Sequence, residues 1–264
     1  MTDAALDTLR SRGFDVLTRN HAEAILAQDF PAELAELSRA LAGFRIGLPE
    51  LVGGGGGESG QTQRLRHALS DLGWGKHRFL VETVVDGIAR EAISHEVDHV
   101  RFATRGTLAA EIEWNNKDPF FDRDLENFQR LHALSAISVG VIVTRGRSMQ
   151  EAFLDRITAW MTAQGLGSED DLDRLDIPAR TGAQKRKVAT QVARGVPFAA
   201  AFAKVFVASK FGQATTHWAK LEDRVARGVG NPCPLLLIGL PESILTDTAQ
   251  PLNGEGPDLF DRLG

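Results

Sequence analysis

Three carboxylates in the middle of the chain, Asp98, Glu111 and Glu113, are the residues whose types and spacing most directly suggest chemistry. Glu111 and Glu113 are two apart in the β-rich segment Thr107–Trp114. On a strand they share one face, and Ala110, Ile112 and Trp114 take the other, toward the core. Asp98 lies in a second β-rich segment, His95–Phe102, and Arg105-Gly106 reads as the turn between the two. Antiparallel pairing brings Asp98 across the hairpin to the glutamates. Carboxylates gathered on otherwise apolar strands repel one another and are costly to desolvate. A hard divalent cation resolves the conflict: magnesium prefers oxygen ligands, keeps several waters, and lowers the pKa of one that can attack a phosphate. An exposed, solvated strand face has the same alternation, so alternation alone leaves both readings open. The metal reading needs Asp98 close to the pair, and the pair turned away from the interior.

The elements that must position these residues are legible from periodicity. Ala4–Arg12, His21–Gln28, Pro31–Leu41 and Gln61–Leu72 carry helical spacing, and Arg45–Val52 reads as a short strand before a glycine break at Gly53–Gly57. Arg78–Val85, His95–Phe102, Thr107–Trp114 and Ile137–Thr144 are β-rich, with an amphipathic helix at Phe120–Leu134 between the last two. Further helices are expected at Met149–Met161, Lys185–Arg194, Pro197–Ser209 and His217–Arg227, and a buried strand at Pro234–Gly239. The fold class is α/β: a mixed central sheet flanked by helices. One domain is expected over 1–264, with N-terminal helices (1–52), a catalytic core (53–178), a basic region and last strand (179–245) and a loosely ordered tail (246–264).

The net charge of −5 is unevenly spread, with a balance of +8 over residues 180–230, −9 over 1–179 and −4 over 231–264. Local positive surface attracts a polyanion whatever the mean charge, though the same charges also serve simply to solvate helix faces. No apolar run is long enough for a membrane span. A polar, acidic start and a single cysteine, Cys233, lead to the expectation of a cytoplasmic protein without a disulfide or a cysteine-built zinc site. Gly55–Thr62 nearly spells a phosphate-binding loop, but Gln61 stands where the loop needs lysine. No nucleotide cofactor is expected.

The carboxylate segment resembles the D…(D/E)-x-K core of the PD-(D/E)XK nucleases. The block Glu111-Ile-Glu113-Trp-Asn-Asn-Lys117-Asp118-Pro-Phe-Phe-Asp122-Arg123-Asp124-Leu, with Thr215-Thr-His-Trp-Ala-Lys220 and Arg227–Gly239, is similar to the BglII-type restriction endonuclease family over about Gly53–Gly239. The resemblance implies a restriction-endonuclease-like core and magnesium-dependent hydrolysis of phosphodiester bonds in both strands of double-stranded DNA by a homodimer. It also implies a six-base-pair palindromic site, and BamHI-like relatives of this type read a GATC centre. Asp98 and Glu111 would hold the metal, with Glu82 as a further acidic neighbour. The last motif position, usually lysine, is Glu113, as in BamHI-like enzymes. Its role stays open between ligand and general base, and Lys117 is a candidate for the missing positive charge.

DNA-contacting candidates follow from the need for hydrogen-bonding side chains at base edges and cations at phosphates. Asn115, Asn116 and Lys117 directly follow the catalytic strand. Lys210, Gln213, Thr215, Thr216, His217 and Lys220 fit a loop feeding a helix, with Thr215 or Thr216 expected to cap it. The helix Phe120–Leu134 is the candidate dimer interface, on the ground that its apolar face exceeds what a core needs. A repair or structure-specific nuclease on the same fold, or a DNA-binding protein without catalysis, remain the competing readings.

Overall fold

The computed structural model describes residues 4–53, 60–173, 177 and 180–250. In chain order the elements are α1 (Ala4–Ser11), β1 (Asp15–Arg19), α2 (Ala22–Asp29), α3 (Pro31–Gly43), β2 (Ile46–Gly47), α4 (Leu48–Gly53) and α5 (Gly60–Asp71). There follow β3 (Gly75–Val85), β4 (Ile88–Ala103), β5 (Gly106–Glu113), α6 (Phe120–Ala133), β6 (Val139–Arg145), α7 (Arg147–Ala163) and α8 (Glu169–Asp173). The last are α9 (Gly182–Val192), α10 (Phe198–Lys210), α11 (Trp218–Ala226), β7 (Leu235–Leu240), a short 3-10 turn (Glu242–Ile244) and β8 (Leu245–Thr246). Among the described residues no helix is long and apolar enough to cross a membrane.

The chain divides into two compact units. One is built from residues 1–43, 66–147 and 214–241, the other from 44–65, 148–213 and 242–264. The first holds a six-stranded mixed sheet in the order β1-β7-β6-β5-β4-β3. β5, β6 and β7 run parallel, while β4, β3 and β1 are antiparallel to their neighbours. β6 and β7 are buried along their whole length, which is why they read as continuous apolar runs rather than alternating ones. The second unit carries the parallel pair β2–β8, with α4, α7, α9 and α10 as its longer described elements.

Two expectations are corrected here. β1 lies between the expected helices Ala4–Arg12 and His21–Gln28, where no strand was expected: Asp15–Arg19 pairs antiparallel with β7, Val16 opposite Ile238. The expected strand at Arg45–Val52 is only two residues long, because Leu48-Pro49 opens α4 and Pro49 suits a first helical turn. Most of the glycine break and of the near phosphate-binding loop lies outside the described residues.

The crossover β5–α6–β6 positions the candidate chemistry. Phe121, Leu125, Phe128 and Leu131 form one buried stripe on α6 and pack against Ala109 and Ile142 of the sheet. Ala109 and Gly140 are neighbours in the register, and their small side chains leave room for the Phe128 ring. A methyl group on Gly140 would stand 2.4 Å from Phe128 Cδ2. Gly140→Ala is therefore expected to cost about 1–3 kcal/mol, read as a lower urea midpoint at unchanged slope. An unchanged midpoint would mean that α6 does not need this close approach.

Candidate active site

α6 runs back over β5, so the strand's face beneath it is set by parity. Ala109, Glu111 and Glu113 share that face, and the helix that packs on Ala109 also covers the two glutamates. This corrects the expectation that the pair faces away from the interior: Glu111 and Glu113 are only 6% and 3% exposed. They do not, however, point into an apolar core. Asp124 of α6, 1% exposed, faces them from above, and Arg123 reaches Glu113 at 3.5 Å and Asp124 at 2.7 Å. Asn116 Nδ2 donates to Glu113 Oε2 at 2.7 Å.

Asp98 comes to the cluster through the hairpin. His99 pairs with Ala110, so continuing the antiparallel register by one residue sets the preceding Asp98 toward Glu111. Its carboxylate is 58% exposed, and Lys76 Nζ stands 3.6 Å from it and 2.7 Å from Glu96. The cluster thus has a wet end at Asp98 and a dry end at Glu113 and Asp124.

Burial and mutual repulsion dominate its electrostatics. Desolvation, then the charges of Asp124, Asp98 and Glu113, push Glu111 up to about 9. Desolvation and Asp124 push Glu113 up to about 8, against the opposing pull of Asn116 and Arg123. Asp124 is also raised, chiefly by desolvation, and it shares a hydrogen bond with Glu113. Its Oδ2 is buried and meets no N–H or O–H donor. Three buried carboxyls, one orphaned oxygen and a single half-exposed guanidinium leave an unfilled demand for positive charge. An all-oxygen donor set of this kind fits a hard divalent cation rather than zinc. Among the described residues no three such groups already converge as a ready-made ligand set, so a cation would have to draw Asp98 inward, away from Lys76.

The structure does not bring Glu82 to this cluster. Glu82 pairs with Ala92, six residues before Asp98 on β4, about 20 Å along an extended strand, and its side chain is exposed. Lys117 is exposed and bridges to Thr215. The cations beside the carboxylates are Lys76 and Arg123, which the sequence reading did not single out.

The two segments of DNA-contact candidates in the first unit lie side by side. Asp118 N donates to Ala214 O at 3.1 Å and Thr216 N to Asn116 O at 2.8 Å, so residues 214–216 run antiparallel to 116–118. Buried Arg145, at the end of β6, fixes the arrangement by donating to Thr215 Oγ1 at 2.7 Å and Thr216 O at 2.5 Å. Asn116 and Lys117 are exposed and Asn115 is half-buried, whereas Thr216 and His217 are enclosed. Neither threonine caps α11: the cap is His217, without a side-chain bond. Lys220 faces Asp118 at 3.6 Å. In the second unit Gln213 is exposed, and Lys210 Nζ donates to Leu51 O at 3.1 Å with burial lowering its pKa, a structural setting rather than a surface one. The apolar stripe of α6 is used up by the core, which removes the ground for reading that helix as a dimer interface.

A six-stranded mixed sheet flanked by helices, with carboxylates gathered on β4, β5 and the crossover helix, is the architecture of a restriction-endonuclease-type nuclease. The model of the family described as restriction endonuclease BglII/BglIII matches residues 14–240, and the chain belongs to that family. None of the curated proteins matches the chain.

Proposed function

We propose that this nuclease is a type II restriction endonuclease that hydrolyses one phosphodiester bond in each strand of a short palindromic DNA site, with magnesium as cofactor. The observation that carries the reading is the gathering of the buried carboxyls of Glu111, Glu113 and Asp124 beneath α6, with Asp98 at the exposed edge of the same cluster. Asp98 and Glu111 are the residues that would hold the cation. When bound, it would supply a water of lowered pKa and charge stabilisation at the phosphate.

The remaining work falls to the chain's own groups. Glu113, held by Asn116, is placed in its ionised form to accept the proton of the attacking water. Lys76, at the wet end beside Asp98, is the cation that meets an incoming phosphate. Asn115, Asn116 and Thr215, on the paired segments clamped by Arg145, offer the donors and acceptors that base edges require.

A homodimer, one site per strand, is the arrangement a palindrome calls for, because its two-fold axis matches that of the duplex. The resemblance to BamHI-like enzymes points to six base pairs, with a GATC centre as the first sequence to test. A reducing cytoplasm suits the single buried thiol of Cys233.

Digestion of a supercoiled plasmid of known sequence with magnesium tests the proposal. Discrete fragments whose sequenced ends share one palindrome are expected. Nicking only at junctions or mismatches would transfer the protein to the structure-specific nucleases.

A further inference from the structure

The longest stretch of chain without an acidic side chain, residues 177–221, lies mostly in the second unit. Residues 180–213 hold no acidic side chain and seven basic ones. They fold into the helices α9 and α10, and Gln184 near the start of α9 bonds to Ser209 near the end of α10 at 3.2 Å, so the two run antiparallel. Val188 is buried on the packed side of α9. Beside it, along the cleft between α9 and α10, lies a groove of about 440 Å³. Lys187 and Arg194 line it from α9 and the turn beyond, Lys204 from α10, with Thr190, Gln191 and Ser209 between them.

Lys187, Thr190, Gln191 and Arg194 are spaced three and four apart, so one helix face carries them all. The three cations are exposed, and among the described residues they meet no carboxylate. This is unlike Arg180 at the same helical pair, which is held by Glu169. A groove walled by cations that meet no carboxylate, with the Gln191 amide between them, matches the chemistry of a phosphodiester backbone. It offers no aromatic platform for unstacked bases and no acid for a basic peptide.

We infer that the α9–α10 groove is a sequence-independent binding surface for the backbone of double-stranded DNA, separate from the carboxylate cluster. The inference rests on the reading of this chain as a DNA-cutting enzyme. Such a surface would hold DNA by releasing its condensed counterions, and so would govern capture of any duplex rather than the choice of site.

The test is binding of a random-sequence duplex without divalent cation, measured across a salt series. The triple variant K187Q/R194Q/K204Q should lower the slope of log affinity against log salt by about two to three, and weaken binding about tenfold near physiological salt. Each single replacement should remove close to one, whereas R39Q on α3 should leave the slope unchanged. At saturation with a short duplex carrying its own site, the triple variant should cut at the wild-type kcat. An unchanged slope in the triple variant, or an equal fall in R39Q, overturns the inference. A wild-type chain that binds duplex steeply with salt but cuts no DNA would overturn the nuclease reading and leave the groove standing.

Discussion

Replacing Glu111 with glutamine is expected to abolish DNA cleavage while making the metal-free protein more stable. The loss follows from its place as the innermost candidate ligand, opposite Asp98 on the neighbouring strand. Glutamine keeps the shape but removes the charge a hard cation requires, and a fall of at least about a thousandfold in kcat/KM is expected. The gain has the opposite sign for the same reason. With Glu111 pushed up to about 9, the unfolded chain ionises at neutral pH where the folded chain cannot. Glutamine removes that penalty, on the order of a few kcal/mol near pH 8 and a rise of about 5–10 °C in Tm. Asp98→Ala should match the loss of cleavage without the gain, because its carboxylate is already in water. Thermal melts with a chelator, beside cleavage assays of the two variants, separate these outcomes. A destabilised E111Q would mean that Glu111 is held charged by a partner the account lacks.

The second large effect is a fall in stability of the metal-free protein as pH rises. Glu111 and Glu113 have folded-state values of about 9 and about 8, above the ordinary 4.5. Below the ordinary value both folded and unfolded chains hold the protons, so nothing is lost. Between that value and the raised ones only the folded chain holds them, and each group then costs about 1.4 kcal/mol per pH unit. The loss levels off above the folded values. Magnesium should oppose it, since a cation favours the ionised carboxylates and is bound more tightly as pH rises. Melting curves from about pH 5 to pH 9, with chelator and with magnesium, should diverge steadily toward alkaline pH. In E111Q/E113Q the two series should coincide. Parallel series for the wild-type chain would show that these carboxyls and the cation are not linked.

What the sequence made legible, and what it did not, divides along physical lines. Glu111 and Glu113 were readable because strand parity is a local property, and Asp98 because a tight two-residue turn, Thr104-Arg105, fixes which residues face each other. Their burial was not, because it depends on a helix beginning seven residues later and folding back over the same face. The one local sign was a carboxylate at Asp124 inside the apolar stripe Phe121, Leu125, Phe128, a position that a solvent-facing charge does not occupy. Glu82 failed for a related reason: sixteen residues before Asp98 in sequence, it is carried far along the hairpin by the β3–β4 register, while Lys76 arrives in its place. β1 was missed because five residues at a sheet edge, with Val16 and Leu17 adjacent, fit helical and strand periods alike. The pairing of 116–118 with 214–216 spans about a hundred residues, and it rests on backbone hydrogen bonds and on Arg145, none of which local periodicity shows.

The central claim is that Asp98 and Glu111, with Glu113 beside them, hold a divalent cation at the DNA backbone. Calorimetric titration of magnesium into the protein bound to a non-cleavable duplex carrying its site tests it most directly, run near pH 7.5 in two buffers of different ionisation enthalpy. Saturable binding that releases roughly one to two protons as the raised carboxyls ionise is expected, with that binding lost in D98A and E111Q. Equal binding in the wild type and both variants, with no proton released, would contradict it.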